Sequence, residues 1–367
     1  MKVPFIDFNY ELVEFEDEYK NLLIKHVERG EFIGGDSVKT FENKLREYLN
    51  VKHVVSVGNG TDALLISLLS LNLDKKNVIV PAFSFFATSE AVVQAGLNPI
   101  FVDIKREDCN INVDEIEKNI DENTGAILPV HLFGNPANLD RIQQLAIKYD
   151  LKIIEDVAQS FGSEFKGKKL GTIGDAGCFS FFPTKTLGAY GDGGAIATNN
   201  DFIAENASIY KNHGSKTKYL NDVFGYNSRL DSIQASILNL KINKIDKWIQ
   251  NRIAAGNYYD ESLVKLKEIE ILDNSNSTFN YYSILIKNNL RNNLQTYLND
   301  NNISTAIYYP KTLPSLKAHN IKKVFPVAEK ICEDIISLPI WPNISNQELD
   351  YTISKIFEFF KNKVWNI

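Results

Sequence analysis

The chain is poor in the residues that make disulfides and metal sites: three cysteines, one methionine and five histidines in 367 residues. Cys109, Cys178 and Cys332 lie far apart, are odd in number and show no CxxC spacing. That excludes a disulfide framework, gives no metal site, and fits a reducing compartment. No apolar run approaches membrane-spanning length, and MKVPFIDFNYELVEFEDEYK carries acids where a signal peptide is cationic and then apolar. A cytoplasmic protein without a membrane partner is expected. There is no basic excess either: 40 Lys and Arg against 46 Asp and Glu leave a net charge of −6. This argues against a nucleic-acid surface, yet allows a small anion held by a few local donors. Internal repeats and low-complexity tails are also missing.

What is present is an alternation. Apolar runs at His53–Val57, Asn77–Val80, Ile100–Ile104, Ala126–Val130 and Lys152–Glu155 are separated by helical stretches, the first carrying Leu64, Leu65, Leu68 and Leu69 on one face and the others near 86–95, 113–120 and 138–149. The rhythm predicts an α/β fold with a parallel or mostly parallel sheet, and functional loops at the C-terminal strand edge. Helices are expected over 11–29 and from about 36 to 49. A longer helix is expected from Arg229 to Leu263, with Leu230, Ile233, Ile237 and Leu240 on one stripe. Beyond it, short strands (Tyr281–Ile286, Ile303–Ile307) mix with helices near 289–301, 326–336 and 346–362. The length and this shift in pattern predict a large domain over 1–250 and a smaller C-terminal α+β domain over 251–367.

The chemistry-bearing residues cluster at the ends of the predicted strands. In CFSFFPTKTLGAYGDGGA an apolar run is halted by Pro183, and Lys185 follows at once, before Gly188, Gly191, Gly193 and Gly194. A lysine there is either solvated or a nucleophilic amine. Asp156, in EDVAQS, is either a helix cap or the carboxylate that keeps a pyridine-ring nitrogen protonated. On the second reading Ala158 lies against the ring face and Gln159 donates to its phenolic oxygen. GNGTDA at 58–63 is a phosphate cradle at a helix N-terminus, a plain tight turn or a dinucleotide fingerprint. Against the fingerprint, it is not the first element, and the next strand ends in Pro81 rather than an acid. In PAFSFFAT, Phe83 and Phe86 read as core and Phe85 as a ring-stacking candidate. In YNSRLD, Ser228 reads as a cap with Arg229 solvated, or the cluster reaches an anion.

Taken in order, SVGNGTDAL, PAFSFFATSEAV, EDVAQSFG, SFFPTKTLGAYGDGGA and GYNSRLDSIQA resemble the DegT/DnrJ/StrS family of pyridoxal-phosphate-dependent nucleotide-sugar aminotransferases, from PFIDF at 4–8 to IYYP at 307–310. The resemblance implies a type I aminotransferase fold and a homodimer with shared active sites. Lys185 falls on the family's Schiff-base lysine, Asp156 on the pyridinium partner, Gln159 on the phenolic-oxygen contact and Phe85 on the stacking aromatic. Gly60, Thr61 and Ser180 would hold the phosphate of pyridoxal 5'-phosphate. Asn227 would complete that site from the neighbouring subunit, with Arg229 close to substrate. Glutamate, by the family's habit, donates the amino group, a nucleotide-linked keto-sugar accepts it, and Lys185 serves as tether and as acid/base.

The wording FFPTKTLGAYGDGGA is similar to enzymes acting on 3-keto sugars; those taking 4-keto sugars tend to carry a histidine before the lysine. The expected substrate is a dTDP-3-keto-6-deoxyhexose, with UDP-linked 3-keto uronic acids and 4-keto sugars as alternatives. Tyr308 and Tyr309 are candidates to touch the sugar or its diphosphate. Two stretches depart from related 3-keto enzymes, which often have histidines there: Tyr219-Leu220-Asn221-Asp222 and Lys311-Thr312-Leu313-Pro314. Lys185 argues against a sugar dehydratase, in which histidine replaces the lysine. A non-catalytic sensor on the same fold is the alternative of a different class.

Overall fold

The computed structural model describes residues 1–364 apart from Lys218. Seven strands form the central sheet: β1 (His53–Val57), β2 (Asn77–Pro81), β3 (Asn98–Val102), β4 (Thr124–Ile127), β5 (Lys152–Asp156), and, beyond the small hairpin β6 (Glu164–Phe165) and β7 (Lys168–Lys169), β8 (Ala176–Ser180) and β9 (Gly194–Thr198). Their order is β1-β9-β8-β5-β4-β2-β3. The pairings β2–β3, β2–β4, β4–β5 and β5–β8 are parallel, whereas β9 runs antiparallel to both β8 and β1. The expected mostly parallel sheet is therefore present, with one reversed strand that the pattern hid. GDGGA reads as loop, yet Gly194 begins a strand because the chain there lies against Asn59. A β-carbon on Gly194 would stand 2.3 Å from the Asn59 carbonyl oxygen.

Helices α1 (Asn9–Arg29), α2 (Gly35–Leu49), α3 (Gly60–Ser70), α4 (Ala87–Gln94), α5 (Val113–Lys118), α6 (Leu139–Tyr149) and α7 (Asp201–Tyr210) accompany these strands. Two apolar cores line the sheet. One holds Val57, Leu64, Phe83 and Cys178, the other Phe41, Ile127, Phe179 and Trp248. Burial on both sides explains the unbroken apolar wording of NVIVP in β2, every residue of which is buried.

The long helix expected over 229–263 is divided. After the ribbon β10 (Ser215–Thr217) and β11 (Leu220–Asn221), α8 (Ser232–Lys241) and α9 (Ile245–Leu263) flank a 3-10 turn at Ile242–Lys244. Helix α9 feeds two cores, Trp248 and Ile249 into the sheet core and Tyr259 and Leu263 into a third, C-terminal one. That third core lies between α10 (Arg291–Asp300), α12 (Asn346–Val364) and a sheet of β12 (Ile269–Ile271), β13 (Tyr282–Ile286) and β14 (Ile335–Leu338), while α11 (Pro326–Asp334) joins Leu285 and Ile335 to the first core. Two expectations are corrected here. The segment 303–307 forms only isolated bridges, Val3 with Ile303 and Ala306 with Ser337. The helix expected to reach 336 stops at Asp334, since the β-branched pair Ile335–Ile336 is drawn into β14 and fully buried.

Candidate active site

Adjacent parallel strands deliver the two central groups. Strands β5 and β8 pair with Asp156 opposite Cys178, so Asp156 ends one strand beside the run that leads to Lys185 on the next. Past β8, the Phe181 N–H donates to the Gly193 carbonyl, and its own carbonyl accepts from Ala189 N–H, both at 2.7 Å. This closes the 182–193 loop on itself, and the Lys185 N–H donates back to the Phe182 carbonyl at 2.8 Å. Gly188 is obligatory there, because a β-carbon would stand 2.3 Å from the Pro183 carbonyl oxygen. Lys185 is half-buried. The next residue, Thr186, donates from N–H and hydroxyl to Asn280 Oδ1 at 3.1 and 3.2 Å, tying the loop to the C-terminal part of the chain.

Asp156 is buried. Its Oδ1 accepts from the Ala158 N–H and its Oδ2 from the Thr88 hydroxyl, each at 3.1 Å. One bond per oxygen leaves acceptor capacity for a further donor. Burial pushes this carboxyl above its ordinary range, opposed by the Ala158 N–H, Thr88, the charge of Lys185 and His131. Behind it, Glu155 is fully buried and accepts from the N–H groups of Gly171, Ile173 and Gly174 at 2.9, 2.8 and 2.7 Å. His131 Nδ1 accepts from the Ala137 N–H at 3.0 Å, so the ring proton sits on Nε2 and is donated to Glu155 at 3.1 Å. Burial would raise the Glu155 carboxyl, but His131 and the backbone donors hold it below its ordinary value.

The glycine turn lies across from Ser180. Asn59 caps α3 by accepting from the Asp62 N–H at 2.8 Å, which leaves the first-turn amides of Gly60 and Thr61 without intrahelical acceptors. A β-carbon on Gly60 would meet Ser180 Cβ at 2.7 Å. Only glycine lets the helix start this close to the end of β8. The dinucleotide reading is excluded by topology. It requires β1 and β2 to be neighbours in one βαβ unit, and here four strands separate them. Ser228 is no helix cap: its oxygen accepts from Gly58 N–H at 2.9 Å and it donates to Asp62 at 2.6 Å, fastening this turn from below.

Aromatic side chains form the remaining wall. Phe83 is buried and packs edge-on against Tyr309, while Phe85 is exposed and tilted over Tyr309 at 6.1 Å between centroids. Gln159 is held at both ends, accepting from Phe133 N–H at 3.1 Å and donating to the Tyr309 hydroxyl at 2.8 Å, with one amide hydrogen left over. Ala158 is half-buried. The Tyr308 and Tyr281 rings are tilted against each other with centroids 4.5 Å apart, and Lys185 Nζ lies 5.5 Å from the Tyr281 ring centre.

Lys185, Asp156, Ala158, Gln159, Tyr308 and Tyr309 are thus linked through direct contacts or neighbouring backbone, and Gly60, Thr61 and Ser180 meet at the adjoining strand ends. Asn227 and Arg229 stand apart. They flank buried Ser228, are exposed, and among the described residues have no side-chain hydrogen-bond or ion-pair partner. Sequence reasoning missed Thr88, His131 and Tyr281, and gave Ser228 a capping role in place of its link to Gly58 and Asp62. Thr88 and His131 each interrupt apolar wording beside a strand end, which is a usable signal; Tyr281 and Ser228 act only through distant partners and give none. The donor set suits a phosphorylated pyridine aldehyde: an amine, a buried carboxylate with acceptor capacity to spare, and a helix start too tight for any β-carbon. Among the described residues no cluster could hold a metal ion, and no helix is long and apolar enough to cross a membrane.

The model of the DegT/DnrJ/EryC1/StrS aminotransferase family matches residues 14–357. The chain is 38% identical to a pleiotropic regulatory protein of Geobacillus stearothermophilus, covering 99% of this chain and 100% of that one. It is 37% identical to the UDP-N-acetyl-3-dehydro-alpha-D-glucosamine 3-aminotransferase of Acidithiobacillus ferrooxidans, over 95% of each. The crystal structure of S. venezuelae DesV in complex with a ketimine intermediate superposes with a TM-score of 0.93 at 30% identity, over 98% of each chain. The fold is that of the type I aminotransferases, and the chain belongs to the DegT/DnrJ/EryC1/StrS aminotransferase family.

Proposed function

We propose that the protein is a pyridoxal-phosphate-dependent aminotransferase that moves the amino group of glutamate onto a nucleotide-linked 3-keto-6-deoxyhexose, most simply a dTDP sugar. Family membership supports the reaction class; one observation carries the site, the convergence of Lys185 and buried Asp156 on adjacent strand ends. The bound cofactor supplies an aldehyde that carries the amino group and a ring that accepts electron density. Lys185 is the tether, and its amine takes and returns the proton at the reacting carbon. Asp156, whose charged form the Ala158 N–H and Thr88 favour against burial, would hold a proton on the ring nitrogen. Thr61 and Gly60 at the start of α3, with Ser180, bind the phosphate. Phe85 and Ala158 would lie against the ring, and the spare Gln159 amide hydrogen would serve its phenolic oxygen.

The aromatic wall of Phe85, Tyr308 and Tyr309 supports a 6-deoxy sugar, whose methyl group such a wall accommodates. The 3-keto position is supported by the specificity named for the Acidithiobacillus relative. A homodimer is part of the reading: Val13 and Val27 on α1 and the fully exposed Phe224 offer apolar surface for a second copy. Asn227 and Arg229, unpartnered in this chain, would then reach the other subunit's site. A regulatory role without catalysis has the name of the Geobacillus relative in its favour. The presence of Lys185 favours chemistry.

The test presents the cofactor-loaded protein with glutamate and a panel of dTDP- and UDP-linked 3-keto and 4-keto sugars, read by mass. Amino-sugar formation from the dTDP-3-keto-6-deoxyhexose is expected. Exclusive turnover of a UDP-linked uronic acid or of a 4-keto sugar would overturn the substrate, and no turnover of any would favour the regulator.

A further inference from the structure

Ser228 lies between Asn227 and Arg229, the two exposed polar residues read above as reaching a second subunit, yet it is itself only 1% exposed. Its segment is held from two sides. The Tyr226 and Ser228 N–H groups donate to the Tyr210 and Lys211 carbonyls at the end of α7, at 2.7 and 3.0 Å. Asp231 bridges to Ile33, and the Ser232 N–H donates to the Phe32 carbonyl at 3.0 Å. Phe32, Ile33, Phe224 and Tyr226 are exposed along this stretch, so the surface that carries Asn227 and Arg229 is rimmed by apolar side chains.

The Ser228 hydroxyl turns the other way, into the glycine turn. Its oxygen accepts from the Gly58 N–H at 2.9 Å, and it donates to Asp62 Oδ2 at 2.6 Å. A hydroxyl used in both directions has no free rotation: its single hydrogen goes to the carboxylate while its oxygen holds the amide. The two backbones also come close. A β-carbon on Gly58 would stand 3.2 Å from Asp62 Oδ2, 3.4 Å from Ser228 Oγ and 3.7 Å from the Arg229 nitrogen. Asp62 belongs to the first turn of α3, the turn whose Gly60 and Thr61 amides are open to an anion. One buried side chain therefore spans from the candidate phosphate cradle to the segment that offers Asn227 and Arg229 at the surface. Without it the Gly58 N–H loses its acceptor, and the Asp62 carboxylate is left unheld beside the cradle.

We propose that Ser228 is a positioning residue that links occupancy of the phosphate site to association of two subunits. An anion bound at the start of α3 fixes its first turn, and with it Asp62, the Ser228 hydroxyl and the peptide that carries Asn227 and Arg229. A ligand that favours one arrangement of this link favours whatever that arrangement binds, and the effect is reciprocal. Empty protein should therefore hold its partner more loosely than cofactor-loaded protein. The inference rests on the functional reading above, which supplies the phosphate and the second subunit.

The experiment measures the dimer dissociation constant by fluorescence-detected sedimentation, with and without saturating pyridoxal phosphate, in the parental protein, Ser228→Ala, Asp62→Ala and Ser70→Ala. The parental dimer should tighten at least about tenfold on loading, within the ordinary range of coupling between sites. Ser228→Ala should reduce that factor to about twofold or less, and Asp62→Ala, which opens the link from the α3 end, should do the same. Ser70→Ala removes a buried hydroxyl near the far end of α3, where it donates to the Ile66 carbonyl at 2.6 Å. It should keep the parental factor, whereas a merely structural loss would move all the variants alike. A parental dimer indifferent to the cofactor, or a factor that survives in both Ser228→Ala and Asp62→Ala, overturns the inference. Visible absorbance of the bound cofactor separates the two levels. Loaded protein that absorbs and dimerises, with a factor unmoved by the variants, defeats the role of Ser228 alone. Protein that takes up no cofactor, or stays monomeric when loaded, defeats the functional reading and this inference with it.

Discussion

Replacing Lys241 by methionine removes the cation of a buried pair that fastens the Lys185 loop to helix α1. Lys241 Nζ stands 2.6 Å from Glu11 Oε2, donates to the Gly188 carbonyl at 2.7 Å and lies 4.1 Å from the Tyr190 ring centre. Lys241 is fully buried and Glu11 is 3% exposed, so neither charge is screened by water. Breaking one partner of such a pair costs about 3–5 kcal/mol, because the other charge is stranded. Glu11 keeps hydrogen bonds from Tyr10 and Tyr190, which favours the lower end, about 3 kcal/mol. With an unfolding entropy of about 2.1 cal/mol/K per residue over 367 residues, that amounts to a fall in melting temperature of about 4 °C. Urea denaturation and calorimetry of the parental protein, Lys241→Met, Glu11→Leu and the double variant form the cycle. The double variant should recover most of the loss, since two apolar side chains of similar volume replace the pair. A single-variant loss under about 1 kcal/mol, or a double variant that costs the sum of the two singles, would refute the reasoning.

Three further outcomes follow from the site. Asp156→Asn should still take up pyridoxal phosphate but lose roughly 100- to 1,000-fold in the rate of its half-reaction with glutamate, the size of one preorganised electrostatic contact; stopped-flow absorbance reads it. Gly60→Val places a side chain against Ser180, where even a β-carbon stands 2.7 Å from Ser180 Cβ. Equilibrium dialysis should show cofactor affinity down about 5- to 150-fold, for an overpacking cost of about 1–3 kcal/mol. His131→Gln removes the imidazole that donates to Glu155, whose carboxyl is held below its ordinary value in the folded state. A depressed carboxyl stabilises above its unfolded pKa of about 4.3 and loses that contribution as pH falls. Weakening the depression should therefore start acid unfolding at a higher pH, as followed by circular dichroism.

Much of the site could be read from the sequence because glycine and proline punctuate strand ends, and in a sheet of this kind chemistry gathers at those ends. Pro81, the GNG turn, Asp156 and Pro183-Thr184-Lys185 each follow an apolar run and all arrive at one edge. The reversed strand β9 stayed hidden because its wording, GDGGA, is dictated by close backbone approach rather than by side-chain alternation. Strand β14 stayed hidden because it continues without a break from α11, whose periodicity covers it. The split between α8 and α9 leaves no proline or glycine behind; Ile242–Lys244 merely tightens into a 3-10 turn. Tyr281, Thr88 and the Ser228 link to Gly58 and Asp62 depend on contacts between residues far apart in the chain. No local pattern encodes such contacts.

The central claim is a covalent bond between Lys185 and the aldehyde of pyridoxal phosphate, and borohydride reduction of the loaded protein followed by peptide mass mapping tests it directly. The account predicts that the peptide containing Lys185 alone gains the mass of reduced pyridoxal phosphate, and that Lys185→Ala gains none. Label on another lysine, or equal label in Lys185→Ala, would contradict it.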